Sequence, residues 1–204
     1  MNQTFLLSPA RCDGRRAQVL LNPGAKFDLA ERLRSGGGAP IGEVFSFLSS
    51  LYFRGKLGYA ERFAAPPPGC PGVLVITAGR GLVLPETVVT LADLRAFRRV
   101  PIDAGSRRYV GPLRAAAEDL RARAPRDTQV VLLGSIATAK YVEVLGAVFG
   151  QSLLFPSDFV GRGDMSRGGL CLRAAKAGRE LAYAPVDGAE RRGRRAVKLE
   201  ALGY

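Results

Sequence analysis

Four short segments of the chain combine turn-forming residues with arginine, serine and aspartate, and these are the residues that could do chemistry. They are segments 8–16, 78–82, 134–139 and 156–168. Arginine offers a planar fork of donors for phosphate, and glycine lets a backbone approach a ligand closely. Aspartate can stabilise a cationic sugar or activate water. The four segments therefore predict a site for a phosphorylated ligand.

Asp13 and Asp164 are the candidate catalytic residues, because each carboxylate lies in a strongly basic segment. Each also has a structural interpretation: Asp13 could be a turn residue that pairs with its neighbours, and Asp164 could cap a helix. The candidate substrate-binding residues can each offer a guanidinium, a hydroxyl or a free backbone N–H to an anion. They are Ser8, Arg11, Arg15, Arg80, Gly134, Ser135, Arg162, Ser166 and Arg167.

The Gly134–Ser135 turn follows an apolar run and precedes a helical pattern, which is the arrangement of an anion cradle at a helix N-terminus. It could equally be an ordinary strand-to-helix turn. It is not a Walker A loop, since the sequence Gly-x-x-x-x-Gly-Lys-Ser/Thr is missing, and no Gly-x-Gly-x-x-Gly follows a strand. The turn alone identifies no reaction.

The chain contains no histidine, which excludes Ser-His-Asp and Cys-His nucleophile systems and every His-ligated zinc site. The three cysteines, Cys12, Cys70 and Cys171, are far apart and show no ligand spacing. We therefore expect neither a metal nor a cofactor. Any catalysis must use carboxylates, hydroxyls, lysine or backbone dipoles, and Lys56 is one single candidate, although a structural role fits it too.

The elements that must position these residues follow from the apolar pattern. Apolar runs predict strands over 4–8, 73–77, 129–133, 152–155 and 180–186, and helical spacing predicts helices over 27–33, 40–63, 90–97, 109–124, 136–149 and from 164 onward. The long pattern over 40–63 fits one helix or two helices joined at Gly55. Alternation of strands and helices predicts a single α/β domain of three layers, with a mostly parallel sheet and helices on both faces.

The charge balance is strongly basic, with 30 Lys and Arg against 18 Asp and Glu, or +12 at pH 7. We divide the chain into an α/β domain over 1–187 and a basic tail over 188–204. Such a charge favours a polyanionic partner, namely nucleic acid or a nucleotide, although arginine bias from a GC-rich genome explains it too. Unpaired cysteines, the lack of a membrane-spanning apolar run and the lack of a leader pattern predict a cytoplasmic protein without a membrane partner.

Two stretches carry a resemblance to a known family. They are 51–61 (Leu-Tyr-Phe-Arg-Gly-Lys-Leu-Gly-Tyr-Ala-Glu) and 75–82 (Val-Ile-Thr-Ala-Gly-Arg-Gly-Leu) with Pro85. They resemble an uncharacterised family of bacterial and phage α/β domains, and the opening 6–11 is similar to that family and to the YaaA peroxide-stress proteins. All of these are loosely similar to the uracil-DNA-glycosylase-like regions of archaeal tRNA-guanine transglycosylases. The resemblance implies a role in nucleic-acid or nucleobase metabolism.

The sequence departs from those relatives at two points. Gly79 and Arg80 stand where the family has Lys and an aromatic residue or His, and the histidine of true uracil glycosylases has no counterpart. We therefore expect a protein that acts on nucleic acid, a nucleobase or a nucleotide, with carboxylate-driven cleavage or exchange of an N-glycosidic bond as the reaction. The alternatives are a non-catalytic nucleic-acid-binding module and an enzyme for a small phosphorylated metabolite.

Overall fold

A computed structural model describes residues 2–197 and 199 of the protein. The strands of this part are short and mostly apolar, and the sequence pattern predicts most of them. They are β1 (Gln3–Leu7), β2 (Ala39–Pro40), β3 (Val73–Ile76), β4 (Leu82–Val83), β5 (Val88–Val89), β6 (Gln129–Leu133), β7 (Leu153–Pro156) and β8 (Tyr183–Pro185).

The helices of the described part account for most of the remaining residues. They are α1 (Arg15–Leu21), α2 (Asp28–Arg34), α3 (Ile41–Phe63), α4 (Leu91–Arg98), α5 (Arg107–Arg123), α6 (Ala139–Phe149) and α7 (Asp164–Ala177). Two short 3₁₀ turns, Gly150–Ser152 and Ser157–Phe159, flank β7. Across residues 2–197 and 199, no helix combines the length and the apolar character needed to traverse a bilayer.

The main sheet confirms the predicted α/β domain. Its strand order is β4-β3-β1-β6-β7-β8, and the four central strands β3, β1, β6 and β7 are parallel. Helices α3 and α7 pack against each other, as do α5 and α6. Since right-handed crossovers that travel in opposite directions along a sheet lie on opposite faces, these two pairs cover the two faces of the sheet.

The outer strands are antiparallel, which the mostly parallel prediction did not specify. β4 pairs with β3, and β8 pairs with β7. A separate two-stranded antiparallel ladder joins β2 to β5. Each of β2, β4 and β5 has only two residues, too few for an apolar alternation to be recognised in the sequence.

The core lies where the central strands are buried on both faces. Every residue of β1 is buried, as are the last four residues of β6, and this agrees with the apolar runs Phe5–Leu7 and Val130–Leu133. At the register pair Leu7↔Leu133, β1 and β6 end side by side. The loops that follow these two strands therefore start next to each other.

Helix α3 is broken at Ser50, and the predicted joint at Gly55 is wrong. Ser50 has φ 47° and ψ −125°, a region that a residue with a Cβ rarely adopts. Gly55 instead lies within a regular helix. Glycine is needed there because α7 crosses α3 at this point: a Cβ on Gly55 would lie 2.3 Å from the carbonyl oxygen of Gly168. The two glycines let the backbones of α3 and α7 touch.

The predicted tail 188–204 is described as far as residue 197, together with residue 199; residues 198 and 200–204 lie outside the described residues. The described part contacts the body of the domain. The N–H of Ala196 donates to the carbonyl of Gly161 at 3.2 Å, and Arg162 donates to the carbonyl of Val197 at 3.0 Å. This segment therefore lies against the loop that leads into α7.

Candidate functional site

The carboxyl ends of β1 and β6 form the switch point of the sheet. From β1 the chain crosses to β3 on one side, whereas from β6 it crosses to β7 on the other. In open α/β sheets, ligands bind in the crevice that such diverging connections leave. Here Ser8 follows β1 and Gly134 follows β6, and the Ser8 N–H donates to the carbonyl of Leu133 at 3.2 Å.

Gly134 suits this point because Ser8 leaves little room for a side chain. A Cβ on Gly134 would lie 3.0 Å from the Ser8 Cβ and 3.4 Å from its Oγ. Ser135 follows, half-buried, and its Oγ accepts from the Ala137 N–H at 3.3 Å. The structure thus brings together Ser8, Gly134 and Ser135, three of the predicted binding residues. Helix α6 begins at Ala139, three residues later than predicted, because residues 134–138 form this turn.

A cavity of about 320 Å³ opens at the same edge of the sheet. Its walls come from the loop after β1, from the end of α4 with the segment that follows it, and from the start of α6. The lining residues are Arg11, Cys12, Asp13, Phe97, Arg98, Val100, Pro101, Ile102 and Lys140. Three cations from three separate segments therefore face one concave space, with a single carboxylate among them.

Asp13 is already paired inside this cavity. The Arg11 guanidinium donates to both carboxylate oxygens, each at 3.0 Å. This hydrogen bonding lowers the pKa of Asp13, and the nearby charge of Arg98 lowers it further. Asp13 is consequently ionised near neutral pH, which suits an electrostatic stabilising role and suits neither a general acid nor a strong general base. Its charge offsets that of Arg11, so Arg98 and Lys140 give the cavity a net positive charge.

Cys12 also lines the cavity but is a poor nucleophile. Burial raises the pKa of its thiol to about 12, and the charge of Asp13 acts in the same direction. The thiol donates weakly to the carbonyl of Ala10 at 3.8 Å. Because the thiolate is the reactive form, Cys12 serves as an apolar part of the wall.

Arg80 and Arg15 do not line the cavity, although the sequence suggests that the arginines of this edge share one cleft. Arg80 forms an ion pair with Asp93 and lies with its Cζ 5.8 Å from the centre of the Phe97 ring, behind the cavity wall. Arg15 is the exposed first residue of α1. The cation that sequence reasoning missed is Arg98, because the pattern of α4 does not show where its last residue lies in space.

The remaining predicted residues form a second group, around the start of α7. Arg162 donates to the carbonyl of Asp158 at 2.9 Å and to Ser166 Oγ at 3.2 Å, so its donors serve the local fold. Arg167 is buried, donates to the carbonyl of Phe159 at 3.1 Å and pairs with Asp164 at 3.3 Å. The Asp164 side chain is 66% exposed. The two predicted catalytic carboxylates thus belong to different groups.

Lys56 becomes a stronger functional candidate once its position in the structure is known. Its side chain is fully buried, and Nζ lies 2.6 Å from the carbonyl oxygen of Ser8 and 2.7 Å from Ser8 Oγ. The rings of Tyr52 and Phe53 surround it, with centres 4.1 Å and 5.0 Å from Nζ. Among the described residues no carboxylate lies within ion-pair distance of this amine. A sequence signal existed, since Lys56 interrupts the apolar stripe of α3 at helical spacing from Tyr52 and Tyr59.

Burial lowers the pKa of Lys56 to about 7. The charges of Asp164 and Cys171 act in the opposite direction, whereas the charge of Arg167 adds to the lowering. Tyr52 beside it stays neutral, because burial raises the pKa of its hydroxyl to about 12. The end of β1 therefore carries a serine hydroxyl, an amine that loses its proton near neutral pH and a neutral phenol, close to one another.

Comparisons of the chain with protein-family models, with curated proteins and with solved structures find no match.

Proposed function

We propose that this protein binds nucleic acid or a nucleotide at the carboxyl edge of its sheet, with phosphate held in the cavity beside the switch point. The observation that carries the proposal is the convergence of Arg11, Arg98 and Lys140 on one cavity in which Asp13 offsets only Arg11. Guanidinium and ammonium groups from separate segments are a common way of holding phosphate.

The shape and the walls of the cavity suit a nucleotide. Its volume of about 320 Å³ lies at the lower end of the range for small-molecule sites. Phe97, Val100 and Ile102 add apolar lining that suits a base or sugar. The net charge of +12 strengthens the attraction of a polyanion over a longer range.

We place this binding in the cytoplasm. Cys12, Cys70 and Cys171 are all unpaired. Free cysteines are typical of proteins kept in a reducing compartment.

The double variant Arg98→Ala/Lys140→Ala tests the site. We expect it to weaken binding of a fluorescein-labelled single-stranded DNA by about tenfold or more, and to lower the slope of log affinity against log salt by about 0.7 for each lost phosphate contact. Fluorescence anisotropy at several salt concentrations measures both quantities. Competition with unlabelled RNA, duplex DNA, nucleotides and sugar phosphates then ranks the ligand classes.

The matched control is Arg121→Ala/Arg126→Ala, which removes the same charge at the opposite edge of the sheet, from the last turn of α5 and the loop that leads into β6. We expect it to change affinity by less than about twofold. Equal losses in both double variants would show that overall charge, and not the cavity, determines binding. Binding of sugar phosphates without any binding of nucleotides or oligonucleotides would favour the small-metabolite alternative instead.

A further inference from the structure

Ser8 and Lys56 form a pair that the anion site does not use. Their side chains meet at 2.7 Å between Oγ and Nζ, although 48 positions separate them in the chain. Neither residue lines the cavity of Arg98 and Lys140. The pair therefore needs an explanation of its own.

A lysine with only a structural role would be energetically unfavourable at this position. Burial of an amine without a carboxylate partner disfavours its charged form, and an apolar side chain would fill the same space at less cost. Buried amines with such surroundings are concentrated at functional sites. The close approach of Gly55 to Gly168 brings the buried groups of α7 to the same place as Lys56.

We propose that Ser8 is the nucleophile of an acyl-transfer centre in which Lys56 is the general base, and that its substrate is a carboxylic ester or amide. Serine–lysine pairs perform this chemistry without histidine, on unrelated folds. In the structure Lys56 Nζ donates to Ser8 Oγ over 2.7 Å. When the amine is neutral it has a free lone pair, and the same separation lets it accept the Ser8 proton directly.

The surroundings of Ser8 favour a neutral carbonyl over a phosphate as the group attacked. Arg167, the guanidinium whose charge acts on Lys56, already donates to the carbonyl of Phe159 and pairs with Asp164. What remains beside Ser8 is the neutral Tyr52 hydroxyl, whose pKa is influenced by Ser8 and Arg167, and the backbone of the Gly134–Ser135 turn. Hydroxyl and backbone donors are the groups that stabilise a carbonyl oxyanion.

The reaction balances with these groups and water. Ser8 Oγ bonds to the carbonyl carbon while its proton passes to Lys56 Nζ, and the C=O electron pair moves to oxygen. Collapse of this intermediate breaks the bond to the alcohol or amine, which leaves with the proton from Lys56. Water then attacks the acyl-serine and gives a proton to Lys56, and Ser8 departs with that proton as the carboxylic acid is released.

Ser8 is 4% exposed, so the test must also establish whether a reagent can contact its hydroxyl. A fluorophosphonate dye bonds to an activated serine with loss of fluoride, and intact-mass measurement with peptide mapping locates the adduct. We expect one adduct on Ser8 of the full chain, none in Ser8→Ala, and labelling about 100-fold slower in Lys56→Met. The control Lys176→Met changes an exposed lysine at the end of α7 and should label like the parent chain.

The labelling rate should rise with pH through about 7, as Lys56 loses its proton. The groups that face this amine are Tyr52 on the same helix, Ser8 at the end of β1, and Asp164, Arg167 and Cys171 on α7. p-Nitrophenyl acetate serves as an acyl substrate, and the rate of its hydrolysis is measured over the same pH range. A rate without this pH dependence would assign the base to another group and overturn the proposal.

The variant Ser8→Cys distinguishes the access of a reagent to position 8 from the activation of the side chain there by Lys56. A thiol at this position should react with iodoacetamide in the folded protein, and more slowly when Lys56→Met is added. A folded Ser8→Cys protein that resists alkylation would show that Ser8 is closed to reagents. A reactive Ser8→Cys protein whose parent chain takes no fluorophosphonate would show that Ser8 is reachable but not activated. Either result overturns the proposal and leaves the anion site untouched, and thermal unfolding confirms that each variant is folded.

Discussion

Replacement of Gly55 by alanine should lower the free energy of unfolding by about 3 kcal/mol or more, the upper range for an overpacked core. The new Cβ would lie 2.3 Å from the carbonyl oxygen of Gly168, which is backbone and cannot rotate away. The helices α3 and α7 must then separate. Urea unfolding followed by circular dichroism measures the loss.

Gly58→Ala is the matched control, three residues further along the same helix. Among the described residues, and apart from the backbone of its own helix and its chain neighbours, no atom lies within 4 Å of a Cβ at this position. Alanine should therefore leave stability unchanged or raise it by up to about 1 kcal/mol, as expected from helix propensity alone. If the two variants were equally stable, the tight contact between the helix backbones would be refuted.

Lys56 should make the stability of the protein depend on pH. Its pKa is about 10.5 in the unfolded chain and about 7 in the folded one. Between these values the unfolded chain binds a proton that the folded chain lacks, so unfolding takes up a proton and stability rises with pH. From about pH 6.5 to about pH 9 the gain due to Lys56 is on the order of 2 to 3 kcal/mol.

Lys56→Met should remove that gain while keeping a side chain of similar size among the rings of Tyr52 and Phe53. The measured quantity is the difference between the parent chain and the variant, by urea unfolding at both pH values. Titrating groups that do not interact with Lys56, such as Cys12, contribute to both proteins and cancel in this difference. Parallel pH profiles for the two proteins would mean that Lys56 keeps an ordinary pKa in the fold.

Much of the fold follows from local patterns in the sequence. The runs that become β3 and β6 are continuously apolar, as strands buried on both faces must be, and the alternation with helices determines the fold class. The break in α3 shows the limit of this reasoning. Glycine suggests a joint at Gly55, but the contact with α7 explains that glycine, while Ser50 adopts the positive φ.

The candidate site is less predictable, since it depends on partners that are distant in sequence. The loops after β1 and β6 could be placed at one edge, which brings Ser8 and Gly134 together. The sequence does not reveal that Asp93 pairs with Arg80, or that Arg162 serves the carbonyl of Val197. Lys56 was recognisable as a cation on an apolar stripe, but its partner Ser8 is visible only in the structure.

The outer strands of the main sheet limit how this protein can associate with itself. β4 has two residues, and β8 has three and ends at Pro185, which has no N–H to donate. Short rims of this kind give another copy little backbone to pair with, so edge-to-edge growth into fibrils is disfavoured. The protein should therefore resist β-type aggregation at high concentration, even though the interior of the sheet is almost wholly apolar.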